Sequence, residues 1–213
     1  MCELQHSDST KKSVTVNNFE LIKPLLKWED ANDFYFVQIL KRKKDNPDEE
    51  FYKTVIASYY VSSMESFEKL FPEMVVIAKF RKARIYINLN RRNYEEVGLQ
   101  MIKKVADAIV NKSWKDIRNA YNSVCGSFQY EKNKKWIIDT DGYTSEQIQK
   151  MKNLILELGG TIYLTLPTVN GMHLITSSFN TLDFTKKCQD NISMSVPDIQ
   201  RNSPTLLYYS NEF

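Results

Sequence analysis

The sequence predicts an α+β protein, a mixed sheet with flanking helices. Three observations predict it. Runs rich in β-branched and aromatic residues, DFYFVQILK at 33–41 and FYKTVIASYYV at 51–61, read as strands. Apolar residues recur at helical spacing over 97–109 and 148–158. In the second half the order is strand, helix, strand, hairpin, with no internal repeat.

Composition sets the frame for those elements. With 213 residues, 42% of them hydrophobic and only 6 Gly and 6 Pro, the chain can bury a core and is neither collagen-like nor of low complexity. Residues 1–18 read as a flexible polar arm and 19–213 as a single domain. The net charge of +3 excludes a global polycation, so an anionic partner must be met by local basic clusters. Cys2, Cys125 and Cys188 are odd in number and far apart, which points to neither a disulfide framework nor zinc. Apolar runs such as 74–78 are too short for a membrane span. The start MCELQHSD lacks a secretory pattern, so a reducing cytoplasm is the expected setting.

The elements follow in order. Phe19–Trp28 reads as a short helix interrupted at Pro24. Strands 33–41 and 51–61 form a hairpin around the charged loop KRKKDNPDEE. Ser62 and Glu65 have capping-box spacing ahead of the core residues Phe67, Leu70, Phe71 and Met74, and Pro72 is expected to kink that helix or start a second. Ala83–Asn90 alternates as a strand, Tyr94–Val110 is an amphipathic helix, and Trp114–Val124 is a helix stopped at Gly126. Lys135–Thr140 is a short strand. Thr144–Gln147 is a capping box for a helix through Leu158, which Gly159-Gly160 ends. Thr161–Leu166 and Met172–Phe179 pair around Asn170-Gly171, and Thr205–Tyr209 is a last strand.

Chemistry concentrates at Asp139-Thr140-Asp141, where a strand leaves the sheet. Residues two apart in an extended segment point the same way, so both carboxylates share a side. Like charges so close favour a neutralising cation, and Mg²⁺ or Mn²⁺ takes oxygen ligands. The alternative is structural: a turn at Asp141-Gly142 with Asp139 as a cap. His173 opens the strand after the Asn-Gly turn, and its own alternative is a satisfied, partly buried strand histidine.

The segments Trp136-Ile137-Ile138-Asp139-Thr140-Asp141 and Thr168-Val169-Asn170-Gly171-Met172-His173 together resemble the archaeo-eukaryotic primase superfamily, the primase-polymerases. Members carry an apolar strand ending in DxD or DxE, then a helix and strand, then a turn of the SGxGxH kind whose histidine opens a strand. Upstream, Tyr86–Arg92 is similar to the Y-x-x-x-N-P-R strand end of phage and plasmid members, without its Pro, and Gly171 stands where Ser is usual. The resemblance covers about 85–180 and is to small phage or bacterial members. It implies an RRM-like catalytic core and a nucleotidyltransferase that uses nucleoside triphosphates. Asp139, Asp141 and His173 would be catalytic, with Mg or Mn held by Asp139, Asp141 and a third acid. Asp183, Asp190 and Asp198 are the candidates for that third acid. None sits plainly on a strand, and Asp198 is taken as the ligand. Nucleotide or nucleic acid would meet Asn90, Arg91, Arg92, Lys135 and Asn170.

Basic clusters at 41–44, 79–84, 91–92 and 132–135, with aromatic residues nearby, suit a single-stranded nucleic acid. The cluster at 41–44 reads equally well as a solvated loop. Arg91-Arg92 is preferred because it ends an apolar strand beside the motifs. No P-loop or GxSxG motif is present, and Cys125 has no nearby histidine pair. Two other functions stay open: a non-catalytic nucleic-acid-binding protein on the same scaffold, and a metal-dependent phosphodiesterase. The sequence sets no oligomeric state.

Overall fold

The structure, a computed structural model, describes residues 13–50, 53–128, 131–190 and 195–212. Its elements in chain order are β1 (Thr15–Asn17), α1 (Phe19–Ile22), β2 (Asp33–Arg42), β3 (Lys53–Val61), α2 (Met64–Phe80), β4 (Arg84–Ile87), β5 (Arg92–Asn93), α3 (Tyr94–Val110), α4 (Trp114–Arg118), α5 (Ala120–Ser127), β6 (Trp136–Asp139), α6 (Ser145–Glu157), β7 (Ile162–Pro167), β8 (Met172–Thr176), α7 (Thr181–Asp190), β9 (Asp198–Gln200) and β10 (Thr205–Ser210). The class is α+β, as expected, built on two antiparallel sheets. The first runs β1-β10-β4-β2-β3 with β5 beside β2, and the second runs β7-β8-β6-β9.

One core joins the sheets. Alternate residues of β6 face opposite ways: Ile137 packs with Ile39, Ile85 and Leu207 of the first sheet, while Ile138 packs with Met151, Ile155 and Phe184 of α6 and α7. Ile137 lies opposite Ile175 in β8, and Ile138 opposite Leu174. The second sheet thus lies between the first sheet and two helices. Its face toward the first sheet is apolar at Ile137 and Ile175. Two residues along each strand, the same face presents Asp139 and His173.

Several local expectations needed correction. The arm contributes a strand, since Thr15–Asn17 pairs with β10, while residues 1–12 lie outside the described residues. The helix after the first hairpin starts one residue late, with Ser63 accepting from Ser66 N. It then runs unbroken through Pro72. Phe67, Phe71, Met74 and Ala78 are all buried on one face spanning that position, and their burial outweighs the roughly 3 kcal/mol a mid-helix proline costs. The predicted helix 114–124 is broken at Asn119, and Gly126 lies inside α5 rather than ending it. By contrast, the Thr144 capping box is present with both of its bonds. Gly159 closes α6 at φ +82, and Gly160 N reaches back to Ile155 O.

Candidate active site

Asp139, Asp141 and His173 line one cavity of about 230 Å³, open between the two sheets. Asp139 is the directly paired neighbour of His173, and His173 Nε2 lies 4.0 Å from Asp139 Oδ1. The backbone holds the two acids in place locally. Asp139 Oδ1 accepts from Asp141 N at 3.0 Å, and Tyr143 N bonds Thr140 O across a turn with Gly142 at φ +86. Buried Thr140 ties this turn to the neighbouring strand, its N and Oγ1 both donating to Met172 O. The structural reading of these acids is realised: they form a turn, with their carboxylates lining the cavity.

The β7–β8 turn presses against that loop. Thr168 Oγ1 donates to Asp141 Oδ1 at 2.9 Å and accepts from Asn170 N and Gly171 N. A Cβ at Gly171 would stand 2.8 Å from Asp141 Oδ1, 3.0 Å from Asp141 Cα and 3.2 Å from Thr140 O. Only glycine lets the two turns approach so closely. His173 is held from the other side, where Nδ1 lies 2.9 Å from Thr205 Oγ1 at the start of β10. With an acceptor-only carboxylate facing Nε2, the favoured tautomer carries its proton there, and Thr205 donates to Nδ1. Burial pushes the His173 pKa below its ordinary value, opposed by the charges of Asp139 and Asp141.

The opposite wall is basic and comes from the first sheet. Arg42, Lys44, Arg84 and Tyr86 line the cavity with Gln200 and Leu206. Arg84 is neutralised by a two-point ion pair with Asp45 and lies over the Tyr209 ring. Arg42 bonds only the neutral Tyr86 hydroxyl, at 2.8 Å, and Lys44 has no ion pair among the described residues. Partial desolvation lowers the Lys44 pKa, and Arg84 and Arg42 add to the effect. Two cations not neutralised by a carboxylate thus face two carboxylates across a small polar cavity, an arrangement suited to an anion bridged to a cation.

The other expected site residues lie elsewhere. Arg91 is buried and paired with Asp33, Glu29 and Glu131. Arg92 is fully buried and donates to Cys125 O, Asn90 O and Asn202 Oδ1. Asn90 is a buried staple that donates to Lys135 O and Arg201 O and accepts from Lys135 N. Lys135 borders a different cavity with Lys27, Glu131 and Tyr163. None of these four lines the site, because each is taken up by the fold or by another cavity; Asn170 does line it. Asp198, read as lying off any strand, opens β9 directly opposite Asp139. Its carboxylate is exposed and accepts from Gln200 Nε2 at 2.6 Å, and Gln200 rather than Asp198 lines the cavity. Among the described residues no group of three or more His, Cys, Asp and Glu is placed to hold a metal.

Arg42 and Lys44, read equally well as part of a solvated loop, line the cavity. The signal was the basic run at 41–44; what the local sequence lacked was the pairing of β2 with β4, which carries that strand end to the cavity. Cys125 is fully buried, with its thiol pKa pushed up to about 12 by burial. No described helix is long and apolar enough to cross a membrane. No family model, no curated protein and no solved structure matches this chain.

Proposed function

We propose that the chain is a metal-dependent nucleotidyltransferase of primase-polymerase type on an RRM-like core, acting on nucleic acid and nucleoside triphosphates in a reducing cytoplasm. The observation that carries this reading is the single cavity in which Asp139, Asp141 and His173 face Arg42 and Lys44. Among the described residues the cavity offers two carboxylates, oxygen donors of the kind Mg²⁺ or Mn²⁺ takes. Mg²⁺ commonly keeps several waters and completes its shell with substrate phosphates. Asp139 and Asp141 would hold it, and when bound it supplies activation of a 3′-hydroxyl and charge stabilisation of the leaving pyrophosphate.

The chain's own side chains do the rest. His173, kept neutral by burial and oriented by Thr205, donates from Nε2 to a phosphate oxygen. Arg42 and Lys44 offset the phosphate charge from the opposite wall. The small polar cavity suits a phosphate group rather than a base, so the base would lie outside it.

The test is incorporation of labelled nucleotide, with and without a primer, in Mg²⁺ or Mn²⁺. Asp139→Asn should abolish it while the melting temperature stays within about 2 °C, because a partly exposed carboxylate is exchanged for an amide that can still accept from Asp141 N. Oligonucleotide binding without incorporation would replace this reading with the non-catalytic one. Metal-dependent strand cleavage without nucleotide would replace it with the phosphodiesterase.

A further inference from the structure

The cavity that holds Asp139, Asp141 and His173 is one of two that meet at Lys44. The second is larger, about 960 Å³, inside the range of roughly 300–1,000 Å³ typical of small-molecule sites. Arg84 lines the first and its ion-pair partner Asp45 lines the second, so this pair and Lys44 form the border between them. The two cavities differ in charge among the described residues. In the first, three cations face two carboxylates. In the second, Asp45, Asp48, Glu49 and Glu212 face only Lys44 and Lys82. Phosphate oxygens are thus favoured on one side of Lys44, and groups that carry N–H donors on the other.

The fold fixes the wall that carries these acids. A turn closes from Glu49 N to Asn46 O at 3.2 Å, with Pro47 and Asp48 as its central residues. Buried Asn46 anchors that turn, its Nδ2 donating to Arg42 O at 3.1 Å and to Lys82 O at 3.0 Å. Three of the four carboxylates are engaged: Asp45 by Arg84, Glu49 by Lys41 and Glu212 by the Ser13 hydroxyl. Asp48 is exposed and has no partner among the described residues, so both of its oxygens are left for a ligand.

We propose that this second cavity takes the nucleoside of a nucleotide whose phosphates sit with Asp139, Asp141 and His173, and that Asp48 selects guanine there. The proposal rests on the nucleotidyltransferase reading, which leaves the base outside the small cavity. A carboxylate accepts through two oxygens side by side. Guanine presents the matching pair of donors, N1–H and the N2 amino group, along one edge. Adenine and cytosine present an amino group beside a ring acceptor. Uracil presents one N–H between two carbonyl oxygens, which the carboxylate repels. The guanine edge in question is also the one that pairs with a template, so a guanine held by Asp48 is chosen by the protein before any template is read.

Calorimetric titration of the full chain without nucleic acid tests this, using GTP, UTP and inorganic triphosphate, each with Mg²⁺. GTP should bind about tenfold more tightly than UTP, and inorganic triphosphate more weakly than GTP. Asp48→Ala should keep the wild-type melting curve, since the side chain is exposed and holds nothing in the fold. It should bring GTP to the level of UTP and leave inorganic triphosphate within about twofold of wild type. Arg42→Ala should weaken all three ligands. Equal affinity for GTP and UTP overturns the proposal, and so does a guanine preference that survives Asp48→Ala; in both cases the phosphate cavity and the functional reading stand. Binding of none of the three overturns the functional reading itself, and the proposal with it.

Discussion

Strand β2 has a charged cluster at each end, and the two are built to opposite purposes. At its start, Asp33 is almost fully buried and accepts from Glu29 N, Asp30 N and Arg91 Nη1 through one oxygen and from Asn93 Nδ2 through the other. Arg91 reaches two further carboxylates there, and Arg92 close by is saturated by two backbone carbonyls and Asn202. At its end, Arg42 has one neutral partner, Lys44 is exposed, and both border a cavity holding two carboxylates. The first cluster is closed and the second is open. Equally basic stretches of chain thus differ in what their charges have left to offer, and that depends on which acceptors the fold brings to them.

The largest effect should come from breaking the closed end. Asp33→Ala removes the main partner of a buried guanidinium and leaves two backbone donors at the 29–30 turn without their acceptor. A loss of about 3–5 kcal/mol is expected, with no change in nucleic-acid affinity per folded molecule. Arg92→Met should fall in the same range, since the one hydrophobic side chain would strand three acceptors. Urea denaturation measures both. A loss under about 1 kcal/mol would mean the closed cluster is only a surface pair, whose typical worth is no more than that.

Next in size is the joint that keeps the open end open. Gly171→Ala forces a Cβ against the backbone of Thr140 and Asp141, which cannot rotate away, so about 1–3 kcal/mol should be lost. The same variant should weaken any metal- or nucleotide-dependent signal, because the displaced atoms carry one of the carboxylates. Gly98→Ala is the control: its Cβ would meet nothing within 4 Å, and the helix should gain slightly.

The direct contest between the two ends is a binding measurement. Replacing Arg42 and Lys44 with Ala should weaken single-strand binding and make its salt slope shallower by about 1.4, roughly 0.7 for each phosphate contact on a single strand. Stability should move little, since neither cation is paired with a carboxylate. A wild-type slope in this variant would remove the basic wall from the binding surface.

Much of this organisation was legible locally and some of it was not. The α6 capping box, the glycine stop at Gly159 and the Asn170-Gly171 turn were readable because each is settled within a few residues. Strands β1 and β9 were not: three residues each, they owe their conformation to partners far along the chain, as with Val16 opposite Tyr209 and Asp198 opposite Asp139. The same holds for the arginines. Arg91-Arg92 at a strand end and Arg42 at another look alike in sequence. Only the pairing of β2 with β5 carries the first pair to Asp33. The adjacency of Asp139 and His173 was readable from motif order, whereas the basic wall across from them required the packing of one sheet on the other.

The smallest effect expected concerns His173, and it separates the ends by pH. Burial lowers the pKa of His173 in the folded protein, and Asp139 and Asp141 only partly restore it. In the unfolded chain the same imidazole titrates near its ordinary 6.5, so below that value the unfolded state binds more protons than the folded one. Stability from this site is therefore complete above pH 6.5 and declines as pH falls, until the folded imidazole also protonates. His173→Gln, measured beside the wild type with a chelator present, should remove that part of the slope between pH 7 and 5. The difference between the two proteins isolates the site of His173 from His6, which both retain. Among the described residues no histidine takes part in the closed end, so Arg92→Met should shift the whole stability curve down without changing its shape over that window. A His173→Gln variant with the full wild-type slope would mean that the imidazole is solvated rather than held against the carboxylates, and the open end would then lack its neutral donor.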